Sequence, residues 1–421
     1  MEEKLRKDSI NTNGEIMKAC VITGAARTAV GSYLGSLKTV EAQDLCATVI
    51  KEAALRSNIG LDQLEQVIMG DVYGYTPNVS RCGALIAGVP IEVPAYTVDR
   101  QCASSLQAVM SACYEINAED ADIICAGGVE TMSRMLYYLD PSARYEPMRM
   151  GNKSLYDAFT HGVTMVQPSS IYPRLNMGLT AENVADKCNI TREEMDEFAY
   201  DSQIKMAKAK EKGKFKDEIV PFEVIKKHER YIVNEDEYNK PNTTIESLKK
   251  LKPVFKKDGS GRVTAGNSSG MNDGASAVIV MSAERANELN IKPLVEIISM
   301  SSIGCDPRVM GLGPVNAVKK ALRKANLNLE DMDLIELNEA FAAQSLGCLK
   351  ELGINPGTKM YKKVNVNGGA IAHGHALGNS GTRILITLIY EMIRRNAKYG
   401  LATMCIGGGQ GMACIVKNAD N

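Results

Sequence analysis

Histidine is scarce in this 421-residue chain: there are four, His161, His228, His373 and His375. Any chemistry that needs an imidazole has only these candidates. No charge predominates either. Lys and Arg number 49 against 50 Asp and Glu, and a dedicated nucleic-acid binder would carry a basic excess. No apolar run approaches the ~20 residues that span a bilayer, so no membrane partner is expected. The polar stretch from Met1 to Ile16 lacks the apolar core of a secretory signal. Dense cysteine spacing is absent as well. The eleven Cys are scattered over the chain, unlike a disulfide scaffold, and imply free thiols in a reducing, cytoplasmic setting.

What is present fits a soluble globular protein. Hydrophobic residues make up 45% and charged residues 24%, near the usual averages. The length suggests two or three folding units with a substantial core. Residues 1–16 are expected to be a flexible extension without a functional role, because Met17 stands where a globular chain would start. Short apolar runs such as Gln66–Gly70, Ala121–Ala126, Val278–Met281, Asp333–Leu337 and Ala402–Ile406 read as strands. Amphipathic stretches at Ser104–Ile116, Pro314–Lys324 and Gly381–Arg395 separate them. This alternation predicts an α/β protein with helices layered on sheets.

A weak repeat is visible. An extended run leads to Cys102, then a helix, then a strand ending Cys125-Ala-Gly-Gly128. Later Val364-Asn-Val-Asn367 leads to a Gly/His turn, a helix, and a strand ending Cys405-Ile-Gly-Gly-Gly409. Two similar halves are expected. The stretch 132–262 interrupts the pattern. It carries a helical run, Thr180–Glu211, and a Lys-rich region that reads either as a solvated surface or as a positive face for a phosphorylated ligand. The expected division is 17–131 plus 263–286, an inserted domain 132–262, and 287–421.

Five segments carry candidate chemistry. Val98–Gln107 places Cys102 at a turn that opens a helix, where the helix dipole favours thiolate and hence a nucleophile; an ordinary buried Cys is the alternative. Asn365–Gly381 holds His373 and His375 among five glycines. Either His can serve as a base. The pair can also be read as metal ligands, but no carboxylate lies nearby in the sequence. Leu401–Met412 sets Cys405 before glycines whose amides can face an oxyanion, or which simply turn the chain. Glu336–Gln344 puts Asn338 and Glu339 between strand and helix, as a cap or as a group that positions water. Arg262–Ala277 is a small-polar loop that either wraps a ligand or turns the chain.

Taken together and in order, these segments resemble the thiolase family over about Lys18 to Lys417. The matching blocks are Cys102–Ser104, Asn338–Phe341, Gly374–His375 and Cys405–Gly407. The resemblance implies a thiolase fold of two α/β halves in a layered sandwich, and an acyltransferase acting on acyl-CoA thioesters. Cys102 would take the acetyl group, His375 would be its base, and Cys405 would be the second acid/base. Asn338 would hold a water in one oxyanion hole, and the amides of Cys102 and Gly407 would form the other. Met177, Ala265, Ser269 and Phe341 would line the CoA side. No cofactor or metal is implied, CoA thioesters being substrates; a homo-dimer or homo-tetramer is.

The chain departs from the family pattern at Asn176, where many members have His, at Ala376 in place of Pro, and at His373 in place of an aliphatic residue. Three alternatives stand beside condensation of acetyl-CoA. They are a 3-ketoacyl-CoA thiolase of wider chain length, a carrier-protein-dependent ketosynthase (which usually lacks a second catalytic Cys such as Cys405), and a non-catalytic protein that keeps the fold.

Overall fold

Alternating apolar residues on the strands point to two different cores, which is why the sheet is covered on both faces. In β4 (Ile123–Thr131), Ile123, Cys125 and Val129 join one cluster while Ile124 and Ala126 join another. The period of two in a fully buried strand demands helices on either side. The computed structural model describes residues 9–10, 16–146, 148–226 and 229–421.

The first half runs β1 (Cys20–Arg27), α1 (Ala42–Arg56), β2 (Gln66–Gly70), α2 (Val79–Ala87), β3 (Ala95–Val98), α3 (Ser104–Asn117), β4 and β5 (Asn272–Ser282). Its strand order is β1-β5-β4-β2-β3. After the insertion's two long helices, α4 (Met177–Cys188) and α5 (Arg192–Glu211), the second half repeats the plan. It runs β6 (Val295–Gly304), α6 (Gly313–Ala325), β7 (Leu334–Leu337), α7 (Ala342–Glu351), α8 (Ser380–Arg395), β8 (Tyr399–Ile406) and β9 (Gln410–Asn418). Its order is β6-β9-β8-β7, and Val364 bridges to Ile335 in parallel at the place of β3. β1 and β6 pair antiparallel, with Val295 opposite Ile22, and so join the halves into one sheet.

The expected repeat is therefore present as topology. The helices α3 and α8 lie at its centre. Leu106, Val109 and Ile116 of α3 and Ile384, Leu385, Leu388 and Ile389 of α8 pack in one cluster with Ile68, Val278, Met404 and Met412 from both sheet halves. A helix apolar on nearly all sides belongs in such a place. The two helices touch at their N-terminal ends, where a Cβ on Gly381 would sit 2.7 Å from Leu106. α1 covers the outer face of one half and α6 that of the other.

Two expectations change in detail. The helical run Thr180–Glu211 is two helices. Asn189, left-handed at φ 51°, closes α4, and Thr191 with Glu194 forms a capping box that opens α5. The proposed extension 1–16 falls mostly outside the described residues; within it Ser9–Ile10 pairs with Ile16–Met17. The insertion leaves the sheet after Thr131 and returns at Asn272, whereas the matching link in the second half is only Gly407–Gly409.

Candidate active site

Cys102 sits in a sharp turn between β3 and α3. Gln101 is held at φ 47°, a left-handed conformation uncommon outside glycine and asparagine. Side chains secure it. Asp99 accepts from the Gln101 amide (2.6 Å), while the Ser104 hydroxyl accepts from the Arg100 amide (2.9 Å) and donates to the Gln101 carbonyl (2.7 Å). The backbone amides of Gly407 and of Cys102 itself favour its thiolate. Burial outweighs them. It pushes the thiol up to about 11, and the negative charges of Glu130 and Asp99 push the same way. Burial thus opposes the thiolate that the helix start favours, so a base is needed to form it.

His375 supplies an imidazole suited to that task. Gly374 before it stands at φ 95°, and a side chain there would overlap Asn272. Asn272 in turn accepts from the His375 amide at 2.9 Å. The imidazole Nδ1 lies 2.7 Å from the Ser380 hydroxyl, which also reaches the Ala376 carbonyl at 2.8 Å. Nε2 is buried with no partner among the described residues. When the hydroxyl donates to Ala376, it accepts from Nδ1–H and leaves Nε2 bare, as a base. When it rotates to donate to Nδ1, the proton resides on Nε2, as a donor. Burial, aided by the Arg383 guanidinium, pushes this imidazole down to about 3, so it rests neutral.

Cys405 closes β8 and is fully buried, packed with Met310, Ala340, Met177 and Phe341. Burial and the nearby Cys102 push its thiol upward. Asn338 follows β7, its amide bonded to the Thr403 carbonyl (3.0 Å). Both polar atoms of its buried carboxamide lack a partner among the described residues, and such a group demands water or substrate. Met177 begins α4, and its sulfur would lie 3.7 Å from a Cβ on Gly407. Phe341 stacks edge-on against Phe255 (6.2 Å). Ser269 is tied to the Ala340 carbonyl (3.0 Å), and Ala265 is exposed on the same loop.

Other candidates take structural places. His373 is buried and has different neighbours from His375. Its Nδ1 lies 3.4 Å from Asp236 and its ring meets Phe215 edge-on at 4.9 Å. Asp236 is held by Arg27 at 2.7 and 2.9 Å. The two His therefore do not converge, and no described group of three or more His, Cys, Asp or Glu is placed to hold a metal. Glu339 accepts from Ser202, Asn365 and the Ile371 amide and braces the loop before His375. Asn176 uses its side-chain oxygen to cap α4 through the Leu179 amide (2.9 Å). His161 stacks on Tyr156 in the insertion, and His228 lies outside the described residues.

Sequence reasoning did not find Ser380, Asn272 or the strained Gln101. Ser380 had a signal, a hydroxyl at the first turn of a helix five residues after the base. Asn272 lay in a stretch read as loop, but it opens β5.

Comparison with known proteins agrees with this geometry. Residues 20–284 match the model of the thiolase N-terminal domain and residues 291–418 that of the thiolase C-terminal domain. An acetyl-CoA acetyltransferase of Syntrophomonas wolfei is 50% identical over 400 residues, 94% of this chain and 98% of that protein. The Escherichia coli acetyl-CoA acetyltransferase is 46% identical over 403 residues, 95% and 99% respectively. The crystal structure of Bacillus anthracis acetyl-CoA acetyltransferase superimposes with a TM-score of 0.89 at 39% identity, covering 96% of this chain and 99% of that one. Human mitochondrial 3-ketoacyl-CoA thiolase in complex with CoA gives 0.88 at 40%, covering 95% and 98%. With both domain models matched in order along almost the whole chain, and the repeated sheet, central helices and Cys102 turn in place, this chain belongs to the thiolase family.

Proposed function

We propose that this protein joins two acetyl-CoA molecules into acetoacetyl-CoA and CoA, and catalyses the reverse thiolysis. The observation that carries this reading is the buried Cys102 thiol presented on a strained turn at the start of α3, in a chain that matches both thiolase domains. Relatives named acetyl-CoA acetyltransferase support the substrate.

The residues can divide the work as follows. With Nε2 bare, His375 takes the Cys102 proton as the sulfur attacks the thioester carbonyl. The two amides receive the oxyanion, a contribution of about 3–4 kcal/mol for each preorganised donor. The tetrahedral intermediate collapses and acetyl stays on Cys102; CoA leaves with the proton of the Cys405 thiol, which becomes a thiolate, while His375 keeps the Cys102 proton on Nε2. Cys405 then removes an α-proton from a second acetyl-CoA, and the carbanion attacks the acetyl-cysteine. The Ser380 hydroxyl accepts from Nδ1–H and holds the imidazolium while Nε2 carries the proton taken from Cys102, which returns to that sulfur once acetoacetyl-CoA has formed. That proton, with a water held by Asn338, offsets the charge on the second thioester oxygen. Covalent transfer divides one hard step into two easier ones. Met177, Phe341, Ala265 and Ser269 line the approach of CoA, and a homo-dimer or homo-tetramer is the working assembly.

A 3-ketoacyl-CoA thiolase of wider range is the second reading, favoured by the equally close superposition on the human mitochondrial enzyme. Thiolysis of acetoacetyl-CoA measured beside that of a six- or eight-carbon 3-ketoacyl-CoA decides. We expect kcat/KM to favour the four-carbon substrate; a clear preference for the longer ones would establish the second reading instead.

A further inference from the structure

Two buried acids lie beside the site and have no part in the steps above. Asp71 is the first residue after β2, and Glu130 is near the end of β4, the parallel strand next to it. Their carboxyls act on each other, and the successive amides of Val72, Tyr73 and Gly74 alternate between them. Glu130 is fully buried and Asp71 is 8% exposed. Backbone amides surround the pair. Val72 (3.0 Å) and Gly74 (3.2 Å) donate to Asp71, and Tyr73 (3.1 Å) and Gly378 (2.9 Å) donate to Glu130. Among the described residues neither acid forms a salt bridge with a cation. The titratable groups that face the pair are Cys46, Tyr73, Asp99 and Cys102, none of which carries positive charge.

Two ionised carboxylates, buried together without a cation, repel each other too strongly for both to persist. A single proton between them turns the repulsion into a hydrogen bond. Gly378 lies between His375 and Ser380, so the amide held by Glu130 belongs to the segment that aims the imidazole. A Cβ on Gly378 would meet the Val129 carbonyl at 2.5 Å and Asp71 Cα at 2.9 Å, so that segment lies directly on the strands bearing the two acids. The charge of Glu130 also opposes a thiolate at Cys102.

We propose that Asp71 and Glu130 share one proton, and that this proton-bridged pair is a positioning device. It anchors the His375 loop through the Gly378 amide and keeps one negative charge away from Cys102. Burial raises both acids, Asp71 to about 6 and Glu130 well above the usual range with Asp71 adding to the rise, which is consistent with a proton retained through neutral pH. Loss of that proton at alkaline pH sets two charges against each other and displaces the Gly378 segment.

The kinetic arm of the test rests on the thiolase reading; the spectroscopic arm does not. The Asp71→Asn carboxamide keeps the shape and donates to Glu130, but it has no proton to lose. In the full-length protein, an infrared difference spectrum of Asp71→Asn against wild type should show one protonated-carboxyl band missing. The other buried acids, such as Glu336 and Asp273, are common to both proteins and cancel. In acetoacetyl-CoA thiolysis, kcat of wild type should fall on the alkaline side with KM little changed. Asp71→Asn should lose less than about tenfold in kcat at neutral pH, with the alkaline fall displaced by about one pH unit or more. Glu130→Gln should displace it likewise, which keeps the test open if one variant unfolds. Asp71→Ala, which leaves Glu130 unpartnered, should lose about tenfold or more at every pH. The proposal is overturned if the difference spectrum shows no missing carboxyl band, or if the alkaline limb of the folded variants overlays that of wild type. A wild-type protein without thiolase activity would instead defeat the functional reading, and the spectrum would still decide the pair.

Discussion

Replacing Ser380 by Ala is the sharpest probe of how the base is held. Ser380 is 2% exposed and, among the described residues, is the one hydrogen-bond partner of the His375 side chain. The substitution removes one oxygen and leaves Nδ1 buried without a partner. An unsatisfied buried group costs about 1–3 kcal/mol. The cost is greater in the transition state than at rest, because the imidazole becomes an imidazolium and its hydrogen bond becomes charge-assisted. At about 1.4 kcal/mol per tenfold, kcat should fall by about 10- to 100-fold. KM should change little, since Ser380 is buried, so kcat and kcat/KM should fall together. The assay is steady-state thiolysis of acetoacetyl-CoA, with a thermal melt to show that the variant is folded. Ser380 also bonds the Ala376 carbonyl, so a small loss of Tm is expected as well. A folded Ser380→Ala protein with kcat within twofold of wild type would refute the assignment of Nε2 chemistry to a Ser380-set tautomer.

Two further predictions concern proton equilibria. Because burial pushes Cys102 up to about 11, its alkylation by iodoacetamide should keep accelerating with pH well beyond the range of an ordinary thiol, and acetyl-CoA should protect it; a rate that plateaus below about pH 8 would show a resting thiolate and refute this. His373 is pushed down to about 4 by burial and, after the opposing contact with Asp236, by the Arg383 charge. Between the ordinary value of about 6.5 and that lower value, the unfolded chain binds a proton that the folded chain does not. Stability should therefore fall as pH falls through this window, by up to about 1.4 kcal/mol per pH unit from this group. Denaturant melts of His373→Leu should show that acid slope reduced; an unchanged slope would mean that this imidazole is not held neutral.

Much of the site was legible in the chain because its chemistry sits in short, ordered blocks. Cys102, Asn338, His375 and Cys405 each follow a strand-like run and precede a helix or glycines, and their order survives without any knowledge of contacts. The strand–helix alternation was legible for the same reason, since periodicity is local. The break at Asn189 was missed because an amphipathic pattern can run across a cap. Ser380 and Asn272 were missed because a hydroxyl or a carboxamide in a small-polar stretch looks alike whether it faces solvent or an imidazole.

The sequence by itself determined the two-half α/β plan, the insertion within the first half and the ordered thiolase blocks. Tertiary structure alone decided which groups leave water and what each one faces. A helix start argued for a thiolate at Cys102, but burial overrides a dipole once the sulfur is out of water. The histidines two residues apart suggested a pair, yet the turn at Gly374 sends His375 to Ser380 while His373 meets Asp236 from the insertion. The acids Asp71 and Glu130 are unremarkable in the chain; they become a proton-sharing pair only because parallel strands bring them together where water cannot separate their charges.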